Sequence, residues 1–95
     1  QDGNAQHVIF VVGGELTLRV GTDGVAILSV EEVSEAWEKG LRAGDVITEA
    51  GQQKVATISE LESRISEAKE AGRKSLLLLV RRNGDPRFVA LNLLK

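Results

Sequence analysis

Cysteine, methionine and tyrosine are absent from this chain of 95 residues, and histidine, proline and tryptophan occur once each. The lack of cysteine excludes disulfides and thiolate metal sites, and fits an oxidising or a reducing compartment equally. A single histidine leaves only oxygen ligands for a metal, and no stretch has the alternating Asp/Asn/Gly spacing of a calcium loop. Neither a metal nor another cofactor is expected. His7 lies near the amino terminus and the serines fall in caps, turns and helix faces, so no nucleophile and base can be paired and the chain is not expected to be an enzyme. With 12 basic and 14 acidic residues interspersed and a net charge of −2, no basic face marks a nucleic-acid footprint. The longest apolar run, Ser75 to Val80, is far below the roughly 20 residues of a membrane helix, so membrane insertion is not expected, and no signal peptide opens the chain.

What is present suits one domain with a single modest core. Residues 1–6, opening Gln1-Asp2-Gly3-Asn4 without an initiator methionine, read as a linker remnant of a longer precursor, and residues 7–95 as the domain. His7 to Val12 is β-branched and aromatic and reads as a strand, broken by Gly13-Gly14. Glu15 to Val20 alternates, with Leu16, Leu18 and Val20 on one face, and the turn Gly21 to Gly24 leads back into Val25 to Val30. Glu31, Glu32, Glu35 and Glu38 read as a solvated face. Ser34 caps a short helix ending at Lys39, and Asp45 to Glu49 is a strand, followed by a turn at Gly51-Gln52. Thr57-Ile58-Ser59-Glu60 is a capping box opening a long helix to Ala71, with Ile58, Leu61, Ile65 and Ala68 at helical spacing and Gly72 as the stop. Leu76 to Val80 reads as a central strand. Asn83-Gly84 signals a type I′ hairpin into Arg87 to Leu94, with Pro86 at its entry. The sum is an α+β domain of five or six short strands with one short and one long helix.

One surface has a recognition mechanism written into it: the gap between the strand at Leu16 to Val20 and the long helix. An edge strand there can pair with an extended segment through Glu15, Leu16, Thr17, Leu18, Arg19 and Val20, while its entrance turns backbone amides toward a terminal carboxylate. Ile58 and Ile65 are expected to shape a side-chain pocket, with Leu61 nearer the core and Glu62 and Lys69 as flanks. Leu16, Leu18, Leu61 and Ile65 are equally what an ordinary core between a strand and a helix contains.

The order of the pieces carries further information. Gly40-Leu41-Arg42-Ala43-Gly44-Asp45-Val46-Ile47 reads as a helix stop, a tight turn and a strand entry, and resembles the G-L-x-x-G-D-x-I signature of bacterial PDZ domains. With the strand Gly24 to Val30, the helix Thr57 to Gly72, the run Ser75 to Gly84 and the ending Arg87-Phe88-Val89-Ala90-Leu91, about three quarters of the chain is similar to the second, carboxy-terminal PDZ domain of the HtrA/Do family of periplasmic serine proteases. The resemblance implies a PDZ-like, partly open β-barrel or sandwich of the circularly permuted bacterial type. It implies a non-catalytic module that binds C-terminal or extended hydrophobic segments, including those of unfolded proteins, by β-augmentation. Substrate recognition, regulation or assembly would be its role. The implied partners are such peptides, the protease domain of the parent chain and, through that parent, further copies in a homo-oligomer; the implied location is the periplasm. The alternatives are an assembly domain with a closed or self-occupied groove, and a PDZ module of a secretion or intramembrane-protease system. Where the family's carboxylate loop reads apolar-Gly-apolar, this chain has Leu16-Thr17-Leu18, and β-branched Thr17 would be strained in such a loop. The strand at His7 to Val12 is additional to a sheet that the C-terminal strand completes, and is expected either to add an edge strand or to pair with another molecule.

Overall fold

The alternating residues on either side of Gly21 to Gly24 fold back on each other as an antiparallel hairpin, and the sheet grows outward from it. In a computed structural model, residues 5–93 are described. The opening four residues of the expected linker and Leu94, the expected end of the last strand, lie outside the described residues.

The elements follow the order β1 (His7–Val11), β2 (Gly14–Val20), β3 (Val25–Val30), α1 (Glu35–Glu38), β4 (Val46–Ala50), β5 (Gln53–Lys54), α2 (Ile58–Glu70), β6 (Ser75–Arg82) and β7 (Asp85–Asn92). Among the described residues the seven strands form one antiparallel sheet in the order β1-β2-β3-β4-β6-β7, with β5 paired to β4. The two-residue β5 takes the strand number above the expected five or six. It exists because Gly51 and Gln52 both adopt positive φ, 61° and 69°, and turn the chain straight back on β4. At the other hairpin Asn83 and Gly84 have φ of 52° and 85°, the two left-handed residues of the expected type I′ turn. Pro86 sits on β7, at one end of the sheet, where a missing amide is tolerated. β1 lies at the opposite end, so the two terminal strands do not compete for one place.

Helix α2 starts where the capping box predicts. Its N-cap Thr57 accepts the Glu60 amide at 3.1 Å through Oγ1, while the Glu60 carboxylate accepts the amide of Ala56, one residue before the cap, at 2.7 Å. Further along α2, Arg64 pairs with Glu67 at 2.9 Å and donates to Gln53 at 3.0 Å. Ile58, Leu61 and Ala68 face inward and pack over Leu16, Leu18, Ile47 and Leu78. The apolar run of β6 buries only alternate residues: Leu76, Leu78 and Val80 are in the core, and Leu77 is exposed.

The Gly40 to Ile47 signature is a structural clasp. Gly40 and Gly44 take φ of 102° and 98° and form the two turns read from the sequence. Between them and β4, Asp45 is buried, and its carboxylate receives a two-pronged bond from Arg82 at 2.7 and 2.9 Å and the Arg42 amide at 3.0 Å. The Arg82 guanidinium also donates to the Gly40 carbonyl, tying the end of β6 to the turn. Arg42 itself lies 3.6 Å over the Trp37 ring.

Candidate functional site

The groove expected beside β2 can be built from its three walls. On the β2 side, Leu16 and Leu18 point inward and are buried, while Thr17, Arg19 and Val20 are half-buried and Glu15 is exposed. Thr17 has no left-handed φ; it sits in extended strand between the register partners Val8 and Ser29, where a β-branched residue is at ease, and the register with β3 shifts by one residue just after it, Leu18 pairing with Ile27. The positive φ near this point belongs to Gly13, at 85°. Because Gly14–Val20 is continuous strand, successive amides point to opposite edges, and the concave nest expected at its entrance is replaced by a paired ladder.

On the α2 side, Leu61 is buried core, as is Ile58. Ile65 is half-buried at the helix edge, and Glu62 and Lys69 are exposed on either side of it. Of the expected pocket residues, the structure therefore brings Ile65, Glu62 and Lys69 to the groove and sends Ile58 and Leu61 beneath it.

The third wall is an occupant. β1 runs antiparallel along the edge of β2 opposite to β3, in the register His7↔Leu18, Val8↔Thr17, Ile9↔Leu16, Phe10↔Glu15 and Val11↔Gly14. Of the two roles expected for His7 to Val12, the strand takes the first, an added edge strand of its own sheet. Its side chains alternate: Ile9 is buried, Val11 is half-buried against the core, and Val8 and Phe10 are 50 % and 74 % exposed. Val8, Ile9 and Phe10 share a cleft with Glu62, Ile65 and Ser66 of α2. A second cleft, of about 240 Å³, runs from Val11 and Val12 past Ile65 and Lys69 to Leu91 and Leu93. His7 opens β1, exposed and opposite Leu18.

The turn between β1 and β2 is pinned to the loop before α1. The Val12 carbonyl accepts the Glu35 amide at 2.8 Å, and the Glu31 carboxylate accepts the Glu15 amide at 2.7 Å. Ser34 caps α1 through Oγ, accepting the Trp37 amide at 3.2 Å and donating to the Glu31 carbonyl at 2.7 Å. A Cβ on Gly14 would stand 2.9 Å from Glu31 Oε1, and one on Gly13 would stand 3.0 Å from the Val33 carbonyl oxygen. The acidic run is thus only partly a solvated face: Glu31 holds the hairpin, and Glu35 accepts from Asn92 and pairs with Lys39 at 3.6 Å. Sequence reasoning missed Ile9, Val11 and Glu31 as groove residues. The usable signal was the Gly13-Gly14 break, which leaves a turn short enough to fold His7–Val11 back on Gly14–Val20.

Among the described residues, no group of three or more His, Cys, Asp or Glu side chains is placed to hold a metal, and no helix is long and apolar enough to cross a membrane.

Comparison with known proteins adds the relatives. A family profile described as the PDZ domain matches residues 14–93, a span that begins just after the β1–β2 turn. The whole chain is 40% identical over 97 residues to a Bartonella henselae protein named probable periplasmic serine endoprotease DegP-like, of which it covers 19%. A protein of the same name from Brucella suis is 40% identical over 68 residues, 72% of this chain and 13% of that protein. The chain spans about a fifth or less of the length of these relatives. A crystal structure of the HtrA3 PDZ domain bound to a phage-derived ligand, FGRWV, is similar with a TM-score of 0.70 and 23% sequence identity. That match covers 93% of this chain and 88% of the other, and the likeness is one of fold.

Proposed function

The chain belongs to the PDZ domain family, and from that membership we propose that it is a non-catalytic peptide-binding module of an HtrA/Do-like serine protease. It takes C-terminal or extended hydrophobic segments by β-augmentation beside β2 and serves the parent in substrate recognition, regulation or assembly. The periplasm, named for the relatives, is the working compartment, and hydrolysis belongs to a protease domain elsewhere in the parent. The observation that carries this reading is the seat of β1: the space between β2 and α2 accepts an extended apolar strand, antiparallel to β2, with alternate side chains turned inward. The backbone of Glu15 to Val20 supplies the ladder. Ile65 shapes the side-chain pocket with Ile58 and Leu61 behind it, and Glu62 and Lys69 set the charge preference at its two ends.

A second reading, an assembly domain whose groove is permanently self-occupied, is favoured by the same strand. Titration of the isotopically labelled chain with hydrophobic peptides, followed by backbone amide shifts, separates the two. Saturable shifts confined to residues 7–20 and 58–69 support peptide binding. No shifts there, at peptide concentrations in the millimolar range, would reject it in favour of assembly.

A further inference from the structure

We propose that β1 is the groove's built-in occupant, a tethered strand that holds a ligand's place and is displaced by extended peptide segments of its own class, read in mid-chain. That class has a branched aliphatic side chain on every second residue. The inference rests on the peptide-binding reading above and adds what the ligand looks like and what it must remove.

Three observations converge on it. The PDZ profile match begins at Gly14, and β1 precedes that span, joined to it through the turn Val12-Gly13; the whole-chain relative is matched over β1 as well. Its alternation of Ile9 and Val11 inward with Val8 and Phe10 outward is the pattern by which a β-augmenting strand is read, backbone for affinity and alternate side chains for specificity. Finally, β1 fills its seat incompletely. Ile9 is its one buried side chain, and half-buried Val11 stands over the cleft lined by Ile65, Leu91 and Leu93. A peptide with leucine or isoleucine in Val11's place buries more apolar surface than β1 does. It needs that advantage, because a short tether gives β1 an effective concentration on the order of millimolar.

The groove's far end favours a mid-chain segment over a free terminus. There β1 continues into the turn, the Val12 carbonyl accepts the Glu35 amide, and the Glu15 amide is held by Glu31. The charged groups placed around that end are the Glu31 carboxylate on the Glu15 amide, the Glu35 carboxylate on Asn92 with its partner Lys39, and the ammonium of Lys69. A neutral carbonyl meets this set without cost, whereas a terminal carboxylate meets the Glu31 carboxylate already holding the Glu15 amide.

The absence of native cysteine makes the test clean. Phe10 and Glu15 are exposed register partners, and opposed residues on antiparallel strands lie about 4.5–5.5 Å apart, within disulfide span. In the 95-residue chain carrying Phe10→Cys with Glu15→Cys, oxidation locks β1 in place and reduction frees it. The probe is the acetylated peptide His-Val-Ile-Phe-Leu-Val, as amide and as free acid, titrated by calorimetry. The expected result is binding of the amide to the reduced chain at least tenfold tighter than to the oxidised chain and, in an otherwise native chain with Ile9→Ser, binding of the free acid no tighter than of the amide. Equal binding to both redox states would overturn displacement while leaving peptide binding intact. Binding of the free acid alone would overturn mid-chain reading. Should the reduced chain bind neither form, and an otherwise native chain with Ile9→Ser, in which β1 is loosened, bind neither as well, peptide binding itself fails and this inference with it.

Discussion

Ile9 stands directly opposite Leu16 across the β1–β2 pair, and both are buried, whereas Phe10, one residue on, faces Glu15 with 74 % of its surface exposed. β1 is therefore bound to the domain by one side of its pleat. Ile9→Ala should cost about 2–4 kcal/mol, the range for truncating a buried branched residue, and Phe10→Ala about 1 kcal/mol or less, as for an exposed position. Urea unfolding of the two variants measures the contrast. Equal losses would mean that β1 does not pack as the burial implies.

The hairpin turn depends on Gly13 for two reasons. Gly13 takes a left-handed φ that costs other residues roughly 1–2 kcal/mol, and its missing Cβ leaves room for the Val33 carbonyl. Gly13→Ala is thus expected to loosen β1 without touching the rest of the sheet. Hydrogen exchange should quicken at the amides of Ile9 and Val11 and stay unchanged at Leu78 and Val80 of β6. Unchanged exchange throughout would remove the turn from the forces that seat β1.

Most of this architecture was legible because local chemistry and tertiary packing agree. The capping box at Thr57, the left-handed pair Asn83-Gly84 and the turns at Gly40 and Gly44 each specify a backbone path that the rest of the fold uses. The groove was less legible. Nothing in the pattern of Leu16, Leu18 and Leu61 says whether an apolar face meets a core or a ligand, and here all three are core. Whether β2 has a free edge is a question of long-range pairing, decided by His7–Val11 from outside the matched span. Glu31 looked like one solvated carboxylate among four. Its bond to the Glu15 amide links residues sixteen apart, a contact that no spacing rule announces.

At the start of α2 the Thr57 hydroxyl satisfies one helix amide, and the Glu60 carboxylate reaches past the cap to Ala56. Thr57→Ala is expected to cost about 1 kcal/mol, and Glu60→Ala less, since its bond is exposed to water. α2 also carries Ile65, which faces β1. A frayed first turn should therefore leave the amide shifts of Ile65 and Lys69, about two and three turns further on, in place. A cost for Thr57→Ala indistinguishable from zero in thermal unfolding would mean that the cap is replaced by water without loss.

The Asp45 clasp makes a prediction about pH. Burial alone would push this carboxyl up, but the bonds from Arg82 and the Arg42 amide, with the nearby guanidinium charges, outweigh it and hold Asp45 below the usual carboxylate range. A group whose folded value lies below its unfolded one, near 3.9, binds more protons when unfolded, so it stabilises the fold above that pH. The contribution shrinks as pH falls from about 4 and is gone once Asp45 is protonated in the folded state as well. Asp45→Asn keeps the size but removes the charge opposite Arg82, whose side chain is 33% exposed and can partly rehydrate. The cost at neutral pH should then be about 2–3 kcal/mol, under the roughly 3–5 kcal/mol of a fully buried pair. Unfolding followed from pH 7 to pH 2 should give two curves that converge in acid. Parallel curves would mean that the signature's aspartate holds its turns by shape and hydrogen bonding rather than by charge.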